Sequence, residues 1–128
     1  MERQRVPAGT KWESVVGYSR AVRVGGQVVV AGTTGLDAAG NVVGTDDPGA
    51  QTRQALANVV AALERLGARR EDVVRTRIFV TDIERWEPVG RAHGEFFGEI
   101  RPAVTMVQVC RLIDPAMLVE IEVEAVVP

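Results

Sequence analysis

The spacing of apolar positions changes period several times along the chain, and each change predicts an element. After Asp46-Asp47-Pro48, a cap followed by proline, apolar residues fall at Leu56, Val59, Val60, Leu63 and Leu66, with Gly67 beyond them. That is one buried stripe on a helix of about five turns, closed by a C-terminal glycine. From Val73 to Thr81 the period drops to two, with Val74, Thr76, Ile78 and Val80 on one face and Arg75, Arg77 and Phe79 on the other, which predicts a strand. Helical spacing returns over 82–98 through Trp86, Val89, Ala92 or His93, and Phe96-Phe97, despite Pro88 and Gly90. Upstream, two β-prone runs, Tyr18–Val24 and Gln27–Ala31, flank Gly25-Gly26 and predict a hairpin.

The last stretch carries the clearest alternation. Two β-rich runs, Val104–Leu112 and Leu118–Val127, flank Asp114-Pro115 and predict a pair of strands. In the second, Val119, Ile121, Val123, Ala125 and Val127 share one face, whereas Leu118, Glu120, Glu122, Glu124 and Val126 share the other. Residues 1–14 are polar apart from a few positions and predict an irregular arm that becomes ordered only where it packs. The resulting order, β-β-α-β-α-β-β, predicts one α+β domain spanning 1–128: a mixed sheet with two helices on a single face. Its open face would then carry Arg75, Arg77, Glu120, Glu122 and Glu124, a paired-charge stripe suited to contact with other copies of the chain.

Composition narrows the classes. With 128 residues, 46% hydrophobic and 25% charged, the chain suits a single domain with its own core. A formal charge of −2 and a basic-run-free sequence argue against nucleic acid and anionic membrane as partners. No stretch nears the roughly 20 apolar residues of a bilayer span. One cysteine, Cys110, permits no internal disulfide, and the first twenty residues lack a signal-peptide core; together they predict a cytoplasmic setting.

The residues alone point to little chemistry. Gly25-Gly26 and Gly32-Thr33-Thr34-Gly35 have neither the spacing nor the lysine of a phosphate loop, and the second stretch reads either as a strand exit or as a close backbone approach to a ligand. His93, the only histidine, has no partner at ligand spacing and reads as a surface or interface residue. Three glutamates on one straight strand cannot wrap a cation, so no metal is expected. Neither Ser14, Ser19 nor Cys110 has a designated base.

Ordered blocks carry more. Tyr18-Ser-Arg-Ala-Val-Arg-Val-Gly, Val-Val-Val-Ala-Gly32-Thr, Ala50-Gln-Thr-Arg-Gln-Ala-Leu-x-Asn58, Asp72-Val-Val-Arg-Thr-Arg-Ile-Phe-Val-Thr-Asp82, Phe96-Phe97-Gly and Leu118-Val-Glu-Ile-Glu122 follow one another over roughly 16–127. This array resembles the Rid family (YjgF/RidA, the reactive intermediate deaminases). The resemblance implies a chorismate-mutase-like two-layer fold and a homotrimer with small-molecule clefts between subunits. It also implies cofactor-free hydrolysis of imines or enamines released by pyridoxal-phosphate enzymes. Matched residue by residue, it implies that Tyr18 packs on the ligand, that Gly32 and Thr33 form the backbone turn beside it, and that Glu120 handles the attacking water.

The same resemblance exposes a departure in Pro102-Ala103-Val104-Thr105. Deaminase members carry arginine where Val104 stands, pairing bidentately with the substrate carboxylate. Gly90 replaces an asparagine of the second helix, and Met106 a cysteine of the cleft. Arg101 either supplies the lost charge from another direction or is a surface arginine. Two readings follow: a hydrolase acting on an imine or enamine that is not a free 2-imino acid, or a non-enzymatic trimer that binds a metabolite or acts as a chaperone-like or regulatory partner. The endoribonuclease activity attached to some family names conflicts with the acidic composition.

Overall fold

A computed structural model describes residues 2–128. Strands and α-helices follow in the order β1 (Arg3–Val6), α1 (Glu13–Val16), β2 (Ala21–Val24), β3 (Gln27–Thr33), α2 (Pro48–Arg65), β4 (Val73–Val80), α3 (Trp86–Phe97), β5 (Ala103–Gln108) and β6 (Val119–Val126). The strands form one mixed sheet in the order β1-β2-β3-β6-β4-β5. All neighbours run antiparallel except β4 and β5, which are parallel. The α+β architecture is as the periodicity predicts.

α2 begins where expected. The Asp47 carboxylate accepts from the Ala50 amide, Pro48 occupies the first turn, and Gly67 follows at φ +77°. Its Leu56, Val59 and Leu63 are buried against β3 and β6 together with Val28, Val30, Ile121 and Val123. Pro88 falls in the first turn of α3, where a missing N–H costs no helical bond. Among the described residues no helix is long and apolar enough to cross a membrane.

Four expectations change. The arm is irregular only in part: among its described residues Arg3–Val6 pairs with β2, and the Glu13 carboxylate accepts from the amides of Ala8 (3.2 Å) and Gly9 (3.0 Å) at the start of α1. The edge strand escapes a hydrophobic reading because only Val6 of its four residues is buried. Next, β5 and β6 are not partners. β6 lies between β3 and β4, while β5 stands alone at the edge beside β4, a long-range arrangement that periodicity does not encode.

Third, Val74 leaves the core. Val73 pairs with Ala125 and Arg75 with Glu124, so Val74 is the extra residue of a bulge and stands exposed. Fourth, His93 is buried rather than on the surface. Its Nε2 lies 2.9 Å from Thr76 Oγ1 and its ring 4.8 Å from that of Phe97. Burial pushes its pKa down, so the neutral ring is favoured.

Gln51 and Thr52 are likewise buried polar residues on α2. The Gln51 amide donates to the carbonyls of Gly44 (3.2 Å) and Ala116 (2.9 Å), and its oxygen accepts from the Leu118 amide (2.8 Å). One side chain thus ties α2 to the turn that feeds β6, two residues before Glu120. Gly35 permits the neighbouring approach, since a Cβ there would lie 2.9 Å from the Gln51 carbonyl oxygen.

Candidate functional site

The alternation of β6 turns Val119, Ile121, Val123 and Ala125 into the core and leaves Glu120, Glu122 and Glu124 half-buried on the open face. Register then separates the three carboxylates. Glu124 faces Arg75 and Glu122 faces Arg77, but Glu120 faces Phe79. The Arg77 guanidinium donates to Glu122 and Glu124, each at 3.0 Å, and Arg75 approaches Glu124 at 3.9 Å. Those two carboxylates are held by cations. Glu120 forms no ion pair among the described residues.

Glu120 lies instead against the end of β3. Its Cδ would sit 2.9 Å from a Cβ built on Gly32, so only glycine leaves room for the carboxyl group there. Partial burial raises its pKa above the ordinary carboxylate value; the charge of Arg20 opposes this and that of Glu122 adds to it. A carboxyl group in this state can take a proton from water and return it.

Arg20 organises the neighbourhood. Its Nη1 donates to the Gly32 carbonyl (2.7 Å) and Thr33 Oγ1 (3.0 Å), and its Nη2 donates to the Tyr18 hydroxyl (3.3 Å). The guanidinium also lies 5.6 Å from the Tyr18 ring centroid, and the Tyr18 and Thr10 hydroxyls are hydrogen-bonded. Tyr18, Gly32, Thr33 and Glu120 therefore gather around an arginine that the sequence reading passed over. Its signal was faint: it stands two residues after Tyr18, on the same side of an extended run.

The remaining candidates are elsewhere in the chain. Register aligns Val104 with Thr76 and Met106 with Ile78, residues of the helix-covered face, and Met106 packs against the core. Thr105 aligns with Arg77 on the open face, across β4 from β6. Gly90 lies in α3 beside the Trp86 indole. Arg101 is exposed at φ +58°, and its Nε donates to the Gly98 carbonyl (3.3 Å) at the end of α3. One chain thus gathers Tyr18, Gly32 and Thr33 around Glu120 and leaves Gly90, Arg101, Val104, Thr105 and Met106 at the β5 edge and in or next to α3.

Comparison with known proteins matches the chain over residues 9–127 to the Endoribonuclease L-PSP family. The crystal structure of Rv2704 from Mycobacterium tuberculosis, a member of the highly conserved YjgF/YER057c/UK114 family, is 54% identical. It superposes with a TM-score of 0.89 over 98% of this chain and 100% of that one. RidA from the Antarctic bacterium Psychrobacter sp. PAMC 21119 is 29% identical, with a TM-score of 0.82 over 96% of this chain and 94% of its own. The Streptomyces coelicolor protein SCO2049 is 41% identical over 123 residues, 95% of this chain and 90% of that protein.

Proposed function

The chain belongs to the YjgF/YER057c/UK114 (Rid, endoribonuclease L-PSP) family, and on that premise we propose that it hydrolyses imines or enamines lacking a free α-carboxylate. Glu120 acts as the acid–base group. Ionised, it removes a proton from water as the oxygen attacks the iminium carbon. Protonated, it returns that proton to nitrogen; the C–N bond of the carbinolamine then breaks and ammonia leaves as the carbonyl forms, the hydroxyl proton passing to the again-ionised Glu120. The observation that carries this reading is the isolation of Glu120: of three glutamates on β6 it alone faces no arginine, and burial raises its pKa.

The substrate class follows from Val104, which takes the place of the arginine that deaminase relatives use to pair with a carboxylate. A valine offers no donor, and an unpaired carboxylate costs about 2 to 5 kcal/mol. Each 1.4 kcal/mol is a factor of about ten, so 2-imino acids react about 30- to 4,000-fold more slowly than in arginine-bearing relatives.

Assembly as a homotrimer brings the β5 edge of one subunit toward the β6 face of another. Two features support this: the separation of Val104 and Met106 from Glu120 within one chain, and the exposed Val29, Val107 and Val126 on elements flanking the charge stripe.

The test pairs two substrates with two proteins. Ammonia release from 2-iminopropanoate and from an uncharged ketimine of similar size is followed with the wild type and Val104→Arg. The wild type accelerates only the uncharged imine, and the variant gains the imino acid. Family-typical turnover of 2-iminopropanoate by the wild type contradicts the proposal.

A further inference from the structure

A second concavity lies wholly within one chain, between the segment 6–12, the loop 33–40 and the outer side of α2; its volume is about 710 Å³, within the range of small-molecule sites. Its charge differs from that of the molecule. Lys11, Arg20 and Arg65 line it against a single acid, Asp37, a local surplus of two positive charges on a chain of net −2. Asp37 is already engaged, its Oδ1 accepting from the amides of Ala39 and Asn41, both at 2.9 Å.

Arg20 lines this groove and is held in place by the fold. Its three shortest bonds go to a carbonyl and two hydroxyls, acceptors that fix the guanidinium without neutralising it. Among the described residues it has no ion-pair partner. Two of its five N–H groups, one on Nη2 and that on Nε, remain available for a bidentate acceptor. The walls suit an apolar body: Trp12 and Leu36 line the groove, and Asn58 holds its loop by donating to the carbonyls of Thr34 (3.3 Å) and Leu36 (2.9 Å).

We propose that this groove binds a small organic carboxylate with an apolar body, its carboxylate on Arg20 and its screening charges from Lys11 and Arg65. The site shares Arg20 and Thr33 with the surroundings of Glu120 but takes its other walls from the segment 6–12, the loop 33–40 and α2. It also explains the choice of arginine at position 20, since a neutral amide would satisfy Gly32 and Thr33 without leaving a charge for a ligand.

The experiment is titration of the ¹⁵N-labelled full chain with benzoate, benzamide and a single-stranded RNA hexamer, with no imine present, so its outcome does not depend on hydrolytic activity. Benzoate shifts the amides of 33–40 and 54–65 rather than those of Phe79, Thr105 and Val107, and benzamide binds at least tenfold more weakly. Arg20→Gln weakens benzoate at least tenfold, a loss of one charge-assisted contact. Arg65→Gln, on an exposed turn of α2 that cannot unfold the chain, weakens it two- to fivefold and decides the matter if Arg20→Gln does not fold. Equal binding of benzoate and benzamide, tighter binding of the RNA, or affinity unchanged in both variants overturns the proposal.

Discussion

The carboxyl group of Glu120 lies where a side chain on Gly32 would have to be: a Cβ at position 32 would stand 2.9 Å from its Cδ and 3.1 Å from Oε2. Gly32 is outside the left-handed region, so alanine is conformationally acceptable there. The conflict is with one side chain. Gly32→Ala therefore folds, with a melting temperature within a few degrees of the wild type, because the loss of unfolded-chain entropy offsets part of the crowding, each on the order of 1 kcal/mol. It displaces the carboxyl group and lowers imine hydrolysis by about 100-fold, the cost of a misplacement near 1 Å. Thermal unfolding alongside initial rates checks both halves.

The acidic limb of the rate profile lies above the usual carboxylate range, since the base works only when ionised and burial favours the protonated form of Glu120. Arg20 opposes that shift. Arg20→Gln removes the opposing charge and moves the limb to higher pH. Stability runs the other way: the contribution of Glu120 is fully present below the unfolded carboxylate pKa and is lost as pH rises through the raised folded value. His93, whose folded pKa is depressed, destabilises the fold only as pH falls below about 6.5. A rate profile of both proteins, with unfolding recorded at each pH, separates these effects.

Gln51→Leu tests the link between α2 and the start of β6. The substitution leaves the Leu118 amide and the Gly44 and Ala116 carbonyls without a side-chain partner. At about 1 to 3 kcal/mol for each group that stays dry, the loss is about 3 kcal/mol, or about 10 °C in melting temperature. Denaturant unfolding measures it directly, and a change below 1 kcal/mol contradicts the role.

Arg77→Glu places a third carboxylate against Glu122 and Glu124, which the arginine now holds at 3.0 Å each. These side chains are more than a third exposed in the single chain, so solvent screens the change and the monomer loses little. A subunit covering this face removes the screening water and makes the same change severe. Light scattering of the wild type gives three times the 13.8 kDa chain mass, and that of the variant gives one.

Elements whose signal is local were legible in the sequence. α2 announces itself through Asp47, Pro48, its apolar stripe and Gly67, and the β6 alternation assigns Glu120 to the open face. Long-range pairing was not legible: nothing in 118–127 says that β6 inserts between β3 and β4 rather than beside β5. The bulge at Val74 shifts a strand face by one residue, which period two cannot foresee. His93 reads as a surface or interface residue, and Gln51 carries no signal of its own, because their partners, Thr76, Ala116 and Leu118, are distant in sequence. In the site, the resemblance supplied Glu120, Tyr18 and Gly32, whereas Arg20 emerged only from its bonds to Gly32 and Thr33.

The most direct test of the account is the rate of uncharged-imine hydrolysis by Glu120→Gln, a near-isosteric change that keeps the fit against Gly32 and removes the proton acceptor. Loss of a general base lowers the rate by about 100- to 10,000-fold, and the residual activity no longer depends on pH across the acidic limb. A Glu120→Gln protein that folds and hydrolyses the imine at the wild-type rate, with the wild-type pH profile, contradicts it.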